Sequence, residues 1–143
     1  MKTKVKVIFP ANKPDRPSWP YIGYDVKKRS MEVLSMLESQ LPELDFSPGI
    51  YRSREEAEQA LRGERFDGYL VYMTALWTGV PELYVRNAHP VIVADELYSG
   101  SGGFLRVHSL IKKEGLPVIG IASSIFQDIV EAVRLIEVMR RMG

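Results

Sequence analysis

The chain has 143 residues, 45% hydrophobic and 26% charged, which suits one folded unit with a sizeable core and excludes a disordered or low-complexity chain. A formal net charge of +1, with basic residues scattered, leaves no electrostatic footprint for a nucleic acid. Cysteine is absent, which excludes disulfides and thiolate metal sites. The only histidines, His89 and His108, stand in no ligand spacing, and no apolar run reaches membrane-span length. There is no signal peptide, so the expected compartment is cytoplasmic and no membrane partner is implied.

Thr3 to Phe9 alternates and then turns apolar, the pattern of a first strand. Pro10 to Pro20 follows with four prolines, which restrain an extended loop, long for a strand-to-helix connection. Such a loop is either a binding element or a packing arm. Tyr24 to Leu41 is helical, with Val26, Ser30, Val33, Leu34, Leu37 and Leu41 on one stripe, and Pro42 ends it. Leu44 to Tyr51 is a weak strand interrupted by Ser47-Pro48-Gly49, and its proline points to a sheet edge. Ser53 and Glu56 form a capping box that opens a short helix, closed by Gly63.

Asp67 to Met73 and Pro90 to Ala94 hold continuous apolar runs, the signature of strands buried on both faces of a parallel sheet. Between them Val80-Pro81-Glu82 starts a short helix. Phe104 to Glu114 is helical, with Phe104, Val107 and Ile111 inward and Gly115 as its cap. Pro117 to Ile121 is the fifth strand. A second capping box, Ser124 with Gln127, opens a last helix with Phe126, Ile129, Val133 and Ile136 inward. Lys27-Lys28-Arg29 and Arg140-Arg141 read as solvated helix faces.

Five strands, each followed by a helix, imply right-handed crossovers and a parallel sheet. With the second strand at an edge, the expected architecture is a single α/β domain over 1–143. It is a flavodoxin-like three-layer sandwich with a five-stranded parallel sheet in order 2-1-3-4-5. The switch point then falls between strands one and three, where the loops Pro10–Gly23 and Thr74–Gly79 meet.

Several chemistries known on such a sheet lack their residues here. Pro10 and Pro14 remove amide donors that a flavin phosphate loop needs, and no acidic pair follows the first strand as a phosphoacceptor requires. Gly100-Ser101-Gly102-Gly103 is either an anion-binding turn before a helix or a flexible loop. Asp95-Glu96 supplies either ligand-binding carboxylates or solvent and cap roles. Trp77 leaves the third strand among Thr74, Thr78 and Gly79, a place suited to stacking on a sugar face or to capping the sheet. Trp19, in Pro17-Ser18-Trp19-Pro20, poses the same alternative.

On the α/β order, on Tyr72-Met73-Thr74-Ala75-Leu76-Trp77-Thr78-Gly79 and on Pro90-Val91-Ile92-Val93-Ala94-Asp95, the chain resembles the N-terminal domain of the L-fucose isomerase and L-arabinose isomerase superfamily of ketose–aldose isomerases. The resemblance spans essentially the whole chain. It implies a domain that lies over a neighbouring subunit's sugar pocket, in an oligomer whose metal, usually manganese, is held by later domains. It also implies sugar contacts for Arg16, after the first strand, and for Trp77, after the third. The metal-binding portion of that family has no counterpart here, so the expectation is part of a longer protein or a stand-alone homologue, not catalytic alone and holding no cofactor itself. The substrate-binding candidates are Arg16, Trp19, Thr74, Trp77, Asp95 and Glu96, with a sugar and other subunits or domains as partners. Two other readings stand beside it. One is a small-molecule-binding or protein-interaction module. The other is a small hydrolase or transferase using Asp95, Glu96 and Gly100–Gly103.

Overall fold

A computed structural model describes residues 2–12, 25–75, 78–88, 90–95, 101–121 and 125–142. Strand and helix alternate throughout. The order is β1 (Thr3–Pro10), α1 (Val26–Gln40), β2 (Leu44–Tyr51), α2 (Arg54–Gly63), β3 (Gly68–Met73), α3 (Val80–Asn87), β4 (Val91–Asp95), α4 (Ser101–Glu114), β5 (Val118–Ile121) and α5 (Phe126–Met142). The strands form one sheet in order β2-β1-β3-β4-β5, every neighbouring pair parallel. This is the three-layer flavodoxin-like arrangement expected from the apolar runs.

Strand pleating divides the apolar residues between two cores. Val5, Val7 and Phe9 of β1, with Leu70 and Tyr72 of β3, pack against α1 and α5. Ile8, Val71 and Met73 face the other way, against α2, α3 and α4. All six residues of β3 are buried, as a central strand covered on both faces must be. Pro48 sits within β2, in register with Val7, and is tolerated because β2 pairs only with β1 and needs no donor on its outer side. Thus β2 runs through Ser47-Pro48-Gly49 without a break.

The helix ends follow local chemistry. Asp25 caps α1 by accepting from the Lys28 amide at 3.1 Å, and Ser53 caps α2 by accepting from the Glu56 amide at 3.2 Å. The Glu56 carboxylate reaches back to the Arg52 amide at 2.8 Å. Gly115, at φ 63°, ends α4 in a Schellman arrangement, with Leu116 N–H donating to the Ile111 carbonyl and Gly115 N–H to that of Lys112.

Three features differ from the sequence expectation. Gly63 is the last residue of α2, and the chain leaves through Glu64 in an extended conformation instead of a left-handed cap. Ser101 to Gly103 form the first turn of α4 instead of a free loop, because burial of Phe104, Val107 and Ile111 sustains the helix where propensity does not. Arg29 and Arg140 are not merely solvated. Arg29 donates to the Tyr72 hydroxyl, and Arg140 donates to Thr3 Oγ1 at 2.6 Å. Ser124 lies outside the described residues.

Helix α5 approaches the sheet closely at the start of β3. A Cβ on Gly68 would lie 2.4 Å from Ile136 Cγ2 of α5, and Ile136 is fully buried. Gly68→Ala therefore lowers folding stability by about 1–3 kcal/mol. Denaturant unfolding of Gly68→Ala, Ile136→Ala and the double variant tests the contact. The double variant loses less than the two single losses added, because the smaller residue 136 vacates the space that the new Cβ needs.

Candidate functional site

Two polar regions stand out, one at each end of the sheet. At the carboxyl edge, β1 is followed by α1 on one face and β3 by α3 on the other, so the switch point of the sheet, the place where ligands bind in open parallel sheets, lies between their ends. Backbone and side-chain bonds tie those ends together. The Ala11 amide donates to the Tyr51 carbonyl at 2.9 Å, and the Arg52 guanidinium donates to the Asn12 carbonyl at 2.6 Å. Thr74, fully buried, donates its hydroxyl to the Pro10 carbonyl at 2.6 Å. Beyond β3 the chain turns at Gly79, whose φ of 79° suits a residue without a side chain, and Thr78 Oγ1 accepts from the Val80 amide as α3 begins.

Of the residues expected at this site, Thr74 and Asp95 are described; Arg16, Trp19, Trp77 and Glu96 lie outside the described residues. Thr74 holds two strand ends in place and presents no surface to a ligand. Asp95 ends β4 in register with Met73 and is half-buried. Alternation with Val91 and Val93, which belong to the α3/α4 core, directs Asp95 to that side of the sheet. The two residues share an edge without converging on one point.

Arg29 was not expected here. Its guanidinium stands 5.9 Å from the Tyr72 ring centre and donates to the Tyr72 hydroxyl at 3.2 Å. Tyr72 in turn packs tilted against Phe9, with ring centres 6.0 Å apart. A cation is thereby anchored beside the ends of β1 and β3. The sequence signal was its place three residues after Val26 and four before Val33, next to the apolar stripe of α1.

The second polar region lies in the amino half of the sheet, on the α2/α3 side. Lys6, only 8% exposed in the middle of β1, pairs with Glu64 from the α2–β3 connection. Its ammonium lies 5.6 Å from the Tyr51 ring centre and 5.3 Å from that of Phe66. Gly49 makes this possible, since a Cβ there would stand 2.8 Å from Lys6 Cε and 2.7 Å from Tyr51 Oη. Burial disfavours the lysine's charge, but hydrogen bonds to Glu64 and Tyr51 outweigh it and hold the pKa above its ordinary 10.5. Burial likewise raises the phenol pKa of Tyr69 and, much further, of Tyr84. The Tyr84 hydroxyl and Glu64 Oε1 are buried without a hydrogen-bond partner among the described residues. The group is a structural ion pair roofed by aromatics.

No three His, Asp or Glu side chains converge as metal ligands among the described residues, so none of them is assigned to manganese. No helix among the described residues is long and apolar enough to cross a membrane. No protein-family model and no curated protein matches the chain.

Two measurements follow from these contacts. Thr74→Val leaves the Pro10 carbonyl without its buried donor and lowers stability by about 1–3 kcal/mol. Thr74→Ser keeps the hydroxyl and loses less in the same denaturant series. The raised lysine and tyrosine pKa values favour the protonated forms in the folded state, so their contribution is complete below the unfolded values of about 10 and is lost as pH rises beyond them. Unfolding free energy measured against pH therefore falls above pH 10. Tyr84→Phe, which removes a hydroxyl without a hydrogen-bond partner among the described residues, leaves stability at neutral pH unchanged or higher and flattens part of that alkaline fall.

Proposed function

We propose that the chain serves as the N-terminal, pocket-covering and oligomerising domain of a ketose–aldose isomerase-like protein acting on a sugar of the fucose or arabinose type. The observation that supports this reading is the switch point of the sheet between the ends of β1 and β3. The described residues on its strand ends, Pro10, Ala11, Asn12, Thr74 and Ala75, carry no acid–base group, and hydrogen bonds fix their backbone. Such a site suits binding and orientation better than proton transfer. In sequence Trp77 follows this edge by three residues and Arg16 lies in the loop that leaves β1. An indole and a guanidinium suit the apolar face and the hydroxyls of a sugar.

In this reading the chain orients the sugar and excludes water, while aldose–ketose interconversion takes place on groups outside the described residues. A metal such as manganese would supply Lewis-acid polarisation of the sugar oxygens in the whole protein. Trp77, Arg16 and Trp19 contact the sugar, with Asp95 at the end of β4 and Glu96 next in sequence as further polar groups. Arg29, anchored on Tyr72, adds a cation to the same edge. Support for the alternative, a binding module unrelated to isomerisation, would come from the same switch point selecting a ligand other than a sugar.

Trp77→Ala separates the functional role from a packing role. Tryptophan fluorescence titrated with L-fucose and L-arabinose responds in the native protein, and the response is lost in Trp77→Ala while thermal unfolding changes little. A loss of about 3 kcal/mol or more on Trp77→Ala, the range for a core aromatic, would instead make the indole structural.

A further inference from the structure

Helix α5 has two apolar sides. Ile129, Val133 and Ile136 are buried against the sheet. On the opposite side Leu135, Val138, Met139 and Met142 are 45%, 44%, 42% and 83% exposed. Their spacing of i, i+3, i+4 and i+7 sets them in one line along the helix. The helix also contacts β5, an edge strand. Its Ile119, 36% exposed, alternates with Ile121, which packs on the α1/α5 core, so it faces the same side of the sheet. The exposed apolar surface is roughly a few hundred Å², the size of the largest apolar patch on an ordinary monomer, and such a patch is often functional.

We propose that this stripe is the interface of a homodimer in which two copies of α5 pack antiparallel. Charge selects both the partner and the direction. One turn before Leu135, on the same line, stands Glu131, its side chain 60% exposed; beside the far end of the stripe stands Arg141, 74% exposed. Each is engaged on its own helix, Glu131 by Arg134 and Gln127 and Arg141 by Glu137. A two-fold axis perpendicular to the helices reverses the second copy. Position 131 of each chain then faces position 141 of the other, and Leu135, Val138 and Met139 of both copies meet between these two pairs. A parallel pairing would set Arg141 against Arg141. The stripe is therefore complementary to itself in one direction only, as an isologous contact requires. Its area is at the low end for a specific interface, so the dimer is weak and concentration-dependent.

This inference deepens the oligomerising part of the proposed function and does not depend on sugar binding, since it uses the outer face of α5 and no residue of the carboxyl edge. Sedimentation equilibrium of the native chain over a wide concentration series, with helical circular dichroism as a check on folding, tests it. The expected mass rises from one chain toward two. Val138→Glu, on an already exposed position, stays monomeric with unchanged helicity. Glu131→Arg and Arg141→Glu each weaken association by about tenfold, the worth of two exposed ion pairs turned repulsive. The double charge exchange restores it. A native chain that stays monomeric overturns the proposal and assigns the stripe to a different partner. A dimer indifferent to Val138→Glu, or single charge variants not rescued by the double exchange, overturns it equally.

Discussion

A lysine in the middle of a strand covered on both faces constrains the amino half of this molecule. β1 lies between β2 and β3 and beneath helices on each side, so Lys6 keeps little contact with solvent. An unpaired buried ammonium is costly, and the fold answers it with Glu64 delivered by the α2–β3 connection. Gly49 leaves the space through which the lysine stem and the Tyr51 ring approach each other. Phe66 and Tyr51 roof the charge. The geometry of β2, of the α2 exit and of the β3 entry is thus tied to one ion pair.

The carboxyl edge is organised differently. There the bonds run between strand ends and backbone carbonyls, through Thr74, Arg52 and the Ala11 amide. These fix the ends of β1 and β3, and the helices that follow them, α1 and α3, lie on opposite faces of the sheet. A rigid frame carrying chemically bland ends is a good support for binding groups on the loops above it. The contrast is between a locked, charged amino half and ends of β1 and β3 that are fixed by hydrogen bonds and carry no acid–base group among the described residues.

The fold was legible where burial repeats a simple pattern. Tyr69 to Met73 and Val91 to Ala94 are continuous apolar runs because both faces are covered, and Pro48 marked β2 as an edge because an outer strand needs no donor on its free side. The site was legible only in part. The alternation Thr3-Lys4-Val5-Lys6-Val7 reads as a strand with one wet face, and only the placement of β1 inside the sheet makes Lys6 a buried charge. Arg29 looked like one of three adjacent cations on a helix, and its bond to Tyr72 depends on α1 crossing the end of β3. The outer stripe of α5 escaped notice because the inward set at Ile129, Val133 and Ile136 already satisfied the helical period. Periodicity reports one buried face and is silent about a second apolar face on the same helix.

The central claim is that the carboxyl-edge switch point between β1 and β3 binds a sugar. Backbone amide NMR shifts of the native chain, followed as L-fucose or L-arabinose is added, test it most directly. The account predicts saturable shifts at Ala11, Asn12, Thr74 and Ala75, with none at Lys6, Glu64 or along the outer face of α5. Shifts centred on the Lys6–Glu64 pair, or an unresponsive carboxyl edge at saturating sugar, would contradict it.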